Sequence, residues 1–403
     1  MNPVRRSILL AALALVVFTP FVRGQEPARK TGPWDVPALL DGTPKAEWGE
    51  ATGLVRPVHY EGVPHGGKPT RVFAYYGRPE GEGPFPAMLL VHGGGGKAFR
   101  EWAELWAKRG YVALAMDLAG HGPDGKRLPD GGPDQDDVSK FRPFTAADVR
   151  EMWSYQAVAD VLRGHALLAS RPEVDAARIG VTGISWGGYL TCIVAGIDPK
   201  LKVAVPVYGC GFLDEDSAWK AGRFDRMSAE QRSLWVENFD PSRYLAGVRC
   251  PILFVNGTND FAYPMGSYQK SYRLVKDAPR GLCITVKMPH GHPQGWAPKE
   301  IGLFVDSLLK KGEPLARLGE TRVEGTTISA GILPGTSVSS AWVHYTTDSG
   351  PWQKREWATQ DAKVDGGRIH ATLPADKRPL VAFLTATDAR GAVVSTEHVE
   401  LPR

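Results

Sequence analysis

Cysteine is scarce in this 403-residue chain: Cys192, Cys210, Cys250 and Cys283 are the whole set, and no CxxC pair occurs among them. That excludes the usual zinc ligand spacings and a disulfide-dense scaffold. Charge of one sign is also lacking, with 48 basic against 44 acidic residues and a net charge of +4. Such a balance leaves no electrostatic footprint for nucleic acid or an anionic membrane. Long apolar runs are missing apart from ILLAALALVVF at 8–18, which is too short to span a bilayer comfortably. Glycine is plentiful at 46 residues, yet no GxxxxGK[ST] phosphate loop is formed.

What is present at the N-terminus reads as an export signal. Arg5 and Arg6 precede the apolar run, and VRG at 22–24 offers a small-residue cleavage site before Gln25. An uncleaved anchor is the alternative reading. The paired arginines match twin-arginine export only loosely, and the segment holds no cysteine for lipid attachment. Cleavage would remove Arg5, Arg6 and Arg23 with no acid and leave a nearly neutral chain. The expectation is a periplasmic or secreted protein with no stable membrane anchor after cleavage and no nucleic-acid partner. Nothing in the sequence sets an oligomeric state.

Chain length exceeds one ordinary core. Residues 25–53 are punctuated by Pro and Gly and suggest a surface-hugging extension. From 54 to 312 strand and helix patterns alternate. FPAMLLVHGG, YVALAMD, ARIGVTG, VAVPVYG, PILFVNG and ITVKMP are buried-strand patterns, while FREWAELWAKRG, 146–169, GGYLTCIVAGI and 297–311 carry helical spacing. Such alternation predicts an α/β fold with a mostly parallel sheet and helices on both faces. From 313 to 403 only short strands separated by turn signals such as DSG and DGG remain, which predicts a small all-β sandwich of immunoglobulin or fibronectin III type. Cys250 and Cys283 each precede a strand of the parallel set. They could bridge in an oxidising compartment, or remain two buried thiols.

Within ARIGVTGISWGGYL, Ser185 lies between a strand and a helix, flanked by Gly183, Gly187 and Gly188. A serine on so sharp a turn projects its hydroxyl from the sheet, and glycines are needed where side chains would collide. A serine hydroxyl is a poor nucleophile without an adjacent base.

The stretch RPEVDAARIGVTGISWGGYL resembles the α/β-hydrolase superfamily, over about residues 55–312. It is most similar to the branch of dienelactone hydrolases, prolyl oligopeptidase-like enzymes and exported bacterial acetyl xylan esterases. The resemblance implies a triad in the chain order nucleophile, acid, histidine. Ser185 would be the nucleophile. Asp260, in PILFVNGTNDFAYP, would be the acid, with Asp240 a rival that precedes the strand. His292 would be the base and His290 its neighbour in ITVKMPHGHPQGW, because the family usually leaves a few residues after the strand. Backbone N–H groups of Gly94, with Gly95 next, and of Trp186 would form the oxyanion hole. His92, Asp117 and His121 match structural loop signatures of the family. Trp186, Tyr208 and Trp296 would line the pocket or belong to the core.

No metal or organic cofactor is implied. The resemblance implies a serine hydrolase acting on a small ester or an acetylated polysaccharide, of acetyl xylan esterase type. A prolyl oligopeptidase-like peptidase is the alternative, although no upstream propeller fits in this chain. Dienelactone hydrolases commonly use cysteine where Ser185 stands. A non-catalytic carbohydrate-binding scaffold, with Trp342, Trp352 and Trp357 as a sugar platform, is the remaining reading.

Overall fold

The computed structural model describes residues 30–375 and 380–401. The expected signal segment therefore lies outside the described residues. Nine strands build the first sheet: β1 (Ala46–Trp48), β2 (Val55–Glu61), β3 (Arg71–Gly77), β4 (Phe85–Val91), β5 (Val112–Met116), β6 (Val174–Ile184), β7 (Val203–Val207), β8 (Ile252–Gly257) and β9 (Arg280–Thr285). Their pairings give the order β1-β2-β3-β5-β4-β6-β7-β8-β9. The first three pairings are antiparallel and the five from β5 to β9 are parallel.

The parallel strands are built from residues that cannot face water. VALAM of β5, VAVPV of β7 and ILFVNG of β8 are buried throughout, as expected where helices cover both faces of a sheet. The helices are α1 (Val36–Leu40), α2 (Arg100–Lys108), α3 (Asp137–Phe141), α4 (Trp153–Ala169), α5 (Trp186–Ile197), α6 (Ala229–Phe239), α7 (Met265–Leu274), α8 (His292–Trp296) and α9 (Lys299–Leu309). Helix α5 has no polar face and is buried along its whole length, whereas α2 buries only one stripe, including Trp102 and Trp106. Among the described residues no helix is long and apolar enough to cross a membrane.

The segment before β2, read from its Pro and Gly content as a surface-hugging extension, is anchored in the core by Trp34. Trp34 is 2% exposed and packs against Tyr155, Phe239 and Tyr244, and its indole N–H donates to the Tyr155 carbonyl at 3.0 Å. Strand β1 extends the sheet by pairing with β2. Burying one large indole outweighs the local turn signals around it.

After α9 the chain forms short strands: β10 (Arg322–Glu324), β11 (Thr327–Gly331), β12 (Ser340–Thr346), β13 (Ala358–Asp365), β14 (Arg368–Thr372), β15 (Leu380–Thr387), β16 (Val393–Ser395) and β17 (Val399–Leu401). All their mutual pairings are antiparallel, and β13 pairs with both β12 and β14. Strand β16 also meets β9 through Ser395 and Leu282, so these strands continue from the edge of the first sheet.

Of the two readings for Cys250 and Cys283 the bridge is not formed, and all four cysteines are buried thiols. Register explains this. Ile252 pairs with Arg280 and Val255 with Cys283, so Cys250 and Cys283 are offset by five residues, roughly 16 Å along the strands. A disulfide needs α-carbons within about 7 Å.

Candidate active site

Four loops meet beyond the carboxyl ends of the parallel strands, the usual ligand-binding end of such a sheet. They follow β4 (His92–Gly96), β6 (Ser185), β8 (Asp260) and β9 (His290). Ser185 caps α5 with φ 59° and ψ −117°, a conformation that side-chain-bearing residues seldom adopt. The turn is held by Ser185 N–H donating to the Val207 carbonyl at 2.9 Å. Two glycines permit it. A β-carbon on Gly183 would lie 2.2 Å from the Gly187 carbonyl oxygen, and one on Gly187 would lie 2.0 Å from the Val91 carbonyl oxygen.

Asp260 is buried and its two oxygens have separate tasks. Oδ1 accepts the backbone N–H groups of Ala262 at 2.9 Å and Tyr263 at 2.7 Å, which fixes the carboxylate against its own loop. Oδ2 pairs with His290 Nδ1 at 2.6 Å. The imidazole is stacked on Tyr208, ring centroids 4.2 Å apart, with Phe261 4.7 Å away on another side. The Tyr208 hydroxyl donates to the Pro289 carbonyl at 2.8 Å, so the ring behind His290 is itself anchored. With Nδ1 committed to Asp260, Nε2 is the nitrogen left to exchange a proton.

This geometry corrects the choice between the two histidines. His292 does not reach Asp260; its Nε2 accepts the Gly93 N–H at 2.9 Å. A nitrogen whose lone pair holds a backbone N–H cannot also take a serine proton. Burial, aided by the neighbouring His92 and His290, pushes the His292 pKa down to about 4, which keeps it a neutral acceptor. Its ring packs on Phe99 at 4.7 Å. His292 is thus a strut beneath the glycine loop, and a β-carbon on Gly96 would lie 2.6 Å from its Nε2.

His92 ties the same loop to the end of β5. Its Nε2 accepts the Leu118 N–H at 2.8 Å, and Nδ1 donates to the Gly93 carbonyl at 2.8 Å. Asp117 accepts the N–H groups of Ala119 and His121 and shapes its own turn. Asp240 takes the N–H groups of Phe212, Leu213 and Ser242, so it organises backbone rather than a histidine. Gly94 lies against the Trp186 ring, since a β-carbon there would be 3.0 Å from Cδ1. Gly94 and Trp186 are therefore neighbours from two different segments. Trp186 N–H belongs to the first turn of α5, whose amides have no intrahelical acceptor.

The aromatic expectations divide. The Trp186 ring is 2% exposed, packed among Phe141, Trp153, Tyr189 and Trp219, and Lys140 Nζ sits 4.6 Å above it. It is a core residue in its side chain. Trp296 stacks on Trp102 at 5.3 Å. Trp352 lies under Arg355 and beside His398, and Trp357 packs edge-on to Phe383, so these two tryptophans share no common platform.

Two residues on either side of Asp260 carried no signal in the sequence. Asn259 precedes the acid, and its amide donates to the carbonyls of Trp352, Gln353 and Arg355, the last at 2.7 Å. The loop after β12 therefore braces the Asp260 loop. Tyr263 is buried between Trp219 and His290. An aromatic residue three positions after the acid carried no distinguishing signal in the sequence.

A serine on a strand-to-helix elbow, with an Asp–His pair on later strand ends, is the layout of a hydrolase of the α/β type. Sequence comparison is more particular: the chain belongs to the α/β-hydrolase superfamily, in the branch of dienelactone hydrolases, prolyl oligopeptidases and acetyl xylan esterases. The family profile described as Acetyl xylan esterase (AXE1) matches residues 54–216, and that of the Prolyl oligopeptidase family matches 143–300. A protein of Escherichia coli named as a carboxymethylenebutenolidase is 32% identical over 222 residues, 54% of this chain and 71% of that protein. The acetyl esterase Axe7A of Xylanibacter ruminicola is 24% identical over 262 residues, 60% of this chain and 56% of its own length. Against a carboxymethylenebutenolidase-named protein of Methylorubrum extorquens the match spans 66% of that protein's length. An acetyl xylan esterase structure from a Paenibacillus species has the same fold, with a TM-score of 0.54 at 21% identity over 68% of this chain and 92% of its own.

Proposed function

We propose that this protein is an exported serine hydrolase that cleaves carboxylic esters, with acetylated carbohydrate as its substrate class. The observation that carries the reading is the 2.6 Å Asp260–His290 pair on the loops after β8 and β9, at the same end of the sheet as the Ser185 elbow after β6. Ser185 Oγ attacks the ester carbonyl while His290 Nε2 takes its proton, and Asp260 stabilises the imidazolium that forms. The oxyanion is held by the N–H groups of Trp186 and Gly94. His290 then delivers the proton to the departing alcohol oxygen, leaving acetyl on Ser185. Water activated by the same histidine releases acetate.

The acetyl xylan esterase profile and the acetyl esterase relative support the choice of acyl group. Phe261, 58% exposed and against His290, offers an apolar face to a bound sugar ring. Export rests on the charged and apolar pattern of residues 1–24, with the catalytic unit at 54–312 and the β-rich unit at 313–403. The prolyl oligopeptidase profile over 143–300 favours a second reading, a serine peptidase.

Acetylated xylan, p-nitrophenyl acetate and a prolyl peptide substrate separate these. Release of acetate by wild type, abolished in Ser185→Ala, is expected. Peptide cleavage without deacetylation would overturn the esterase reading, and full activity of the variant would overturn the nucleophile.

A further inference from the structure

A cavity of about 430 Å³ opens between residues 141–144, in the connection from β5 to α4, and residues 222–235, in the connection from β7 to β8. Both connections leave the sheet at the end that carries the Ser185 elbow. Arg142, Arg223 and Arg226 line the cavity and no acid does. Arg142 pairs with Asp148 at 3.3 Å and Arg223 with Asp137 at 2.8 Å, two acids outside the lining. Arg226 is exposed and forms no ion pair among the described residues, and its neighbour Asp225 is held by Lys220 at 2.8 Å. The floor is already in place. Gln231 of α6 accepts the Phe144 N–H and donates to the Phe144 carbonyl, each at 3.2 Å. Trp235, also of α6, stacks on Phe141 at 5.6 Å and donates its indole N–H to the Lys140 carbonyl at 2.9 Å. Phe141 in turn meets edge-on, at 5.9 Å, the ring of Trp186, the residue that follows Ser185.

We infer that this cavity is a binding site for an acidic sugar residue, a uronic acid unit of the polysaccharide whose acetyl groups are removed at Ser185. The inference rests on the acetylated-carbohydrate reading and deepens it by giving the polymer a charge. The charged groups of the lining are all positive, and a concave site with one sign of charge draws the opposite ion. A guanidinium is planar and presents parallel N–H donors that fit the two oxygens of a carboxylate. Arg226, with no acid of its own, is free to make that fork, and Arg142 and Arg223 add charge beside it. A bare inorganic anion would leave most of the space empty, since cavities of about 300–1,000 Å³ hold organic ligands. Pro143, exposed, and Met227, half-buried, supply an apolar wall for the C–H face of a sugar ring. The contact from Phe141 to Trp186 puts the floor beside the ester site. Holding a uronate there tethers the neighbouring sugars near Ser185 and raises their local concentration.

Calorimetric titration with sodium glucuronate, glucose and inorganic phosphate at matched ionic strength tests this on wild type, Ser185→Ala and Arg226→Gln. Glucuronate should bind wild type and Ser185→Ala alike, with an affinity that falls as salt is added. Arg226→Gln should bind it about tenfold more weakly, because a charge-assisted fork is lost. The Tm of that variant without ligand should match wild type, since Arg226 is exposed. Glucose binding as tightly would overturn the anionic assignment, and phosphate binding as tightly would overturn the sugar. An unweakened Arg226→Gln would overturn the site. Steady-state deacetylation reads the role. Wild type should show a KM about tenfold lower for acetylated xylo-oligosaccharides that bear glucuronate than for neutral ones, and Arg226→Gln should lose that advantage. Equal KM values in wild type would overturn the inference. Glucuronate binding by a wild type that releases no acetate from any ester would instead refute the esterase reading and leave the site standing.

Discussion

Replacing His292 with glutamine should remove a pH dependence of stability without removing catalysis. The folded pKa of about 4 lies below the ordinary value of 6.5, because burial disfavours the charged ring. Between those two values the unfolded chain binds a proton that the folded chain refuses, so stability falls as pH falls. The contribution is fully present above pH 6.5 and fully lost only below pH 4. The total is about 3 kcal/mol, of which about 2 kcal/mol has gone by pH 5. His344, also pushed down to about 4 by burial, adds a similar slope, so the comparison must be with wild type rather than with a flat line. Glutamine keeps a neutral acceptor for the Gly93 N–H and does not titrate. The Tm difference between pH 7 and pH 5, measured by calorimetry, should shrink by several degrees in the variant. An unchanged difference would refute the placement of His292 as a buried neutral strut.

Other perturbations separate structure from chemistry. Asp240→Ala leaves the N–H groups of Phe212, Leu213 and Ser242 without their acceptor, and should lower stability by about 3 kcal/mol or more in a denaturant titration. Asn259→Ala releases the Asp260 loop from residues 352–355; urea titration should show a loss of about 1–2 kcal/mol, and steady-state assays a kcat lowered by less than tenfold. Dithiothreitol should leave Tm within a degree of the oxidised sample, since the cysteines form no bridge.

The elbow was legible in the sequence because its demands are steric and local. Only glycine fits at 183 and 187, and a buried strand before Ser185 with an apolar helix after it fixes the turn. Asp260 was legible because its place depends on strand order, and PILFVNG is unmistakably a buried strand. The choice between His290 and His292 was not. The two are separated by one glycine, and the outcome depends on which ring the loop sets against Tyr208 and which against Gly93. Those contacts are made by residues about 80 and 200 positions away, beyond the reach of spacing arguments. The burial of Trp34 and the stagger of Cys250 against Cys283 escaped for the same reason: partner and register are tertiary facts.

In the proposed mechanism Ser185 and His290 act as one unit with Asp260, while His292 does not. Steady-state hydrolysis of p-nitrophenyl acetate by His290→Ala and His292→Gln tests it most directly. The expected kcat is lowered by about 10⁴-fold or more for His290→Ala, and by less than about tenfold for His292→Gln. The reverse order, or equal losses from both, would contradict it.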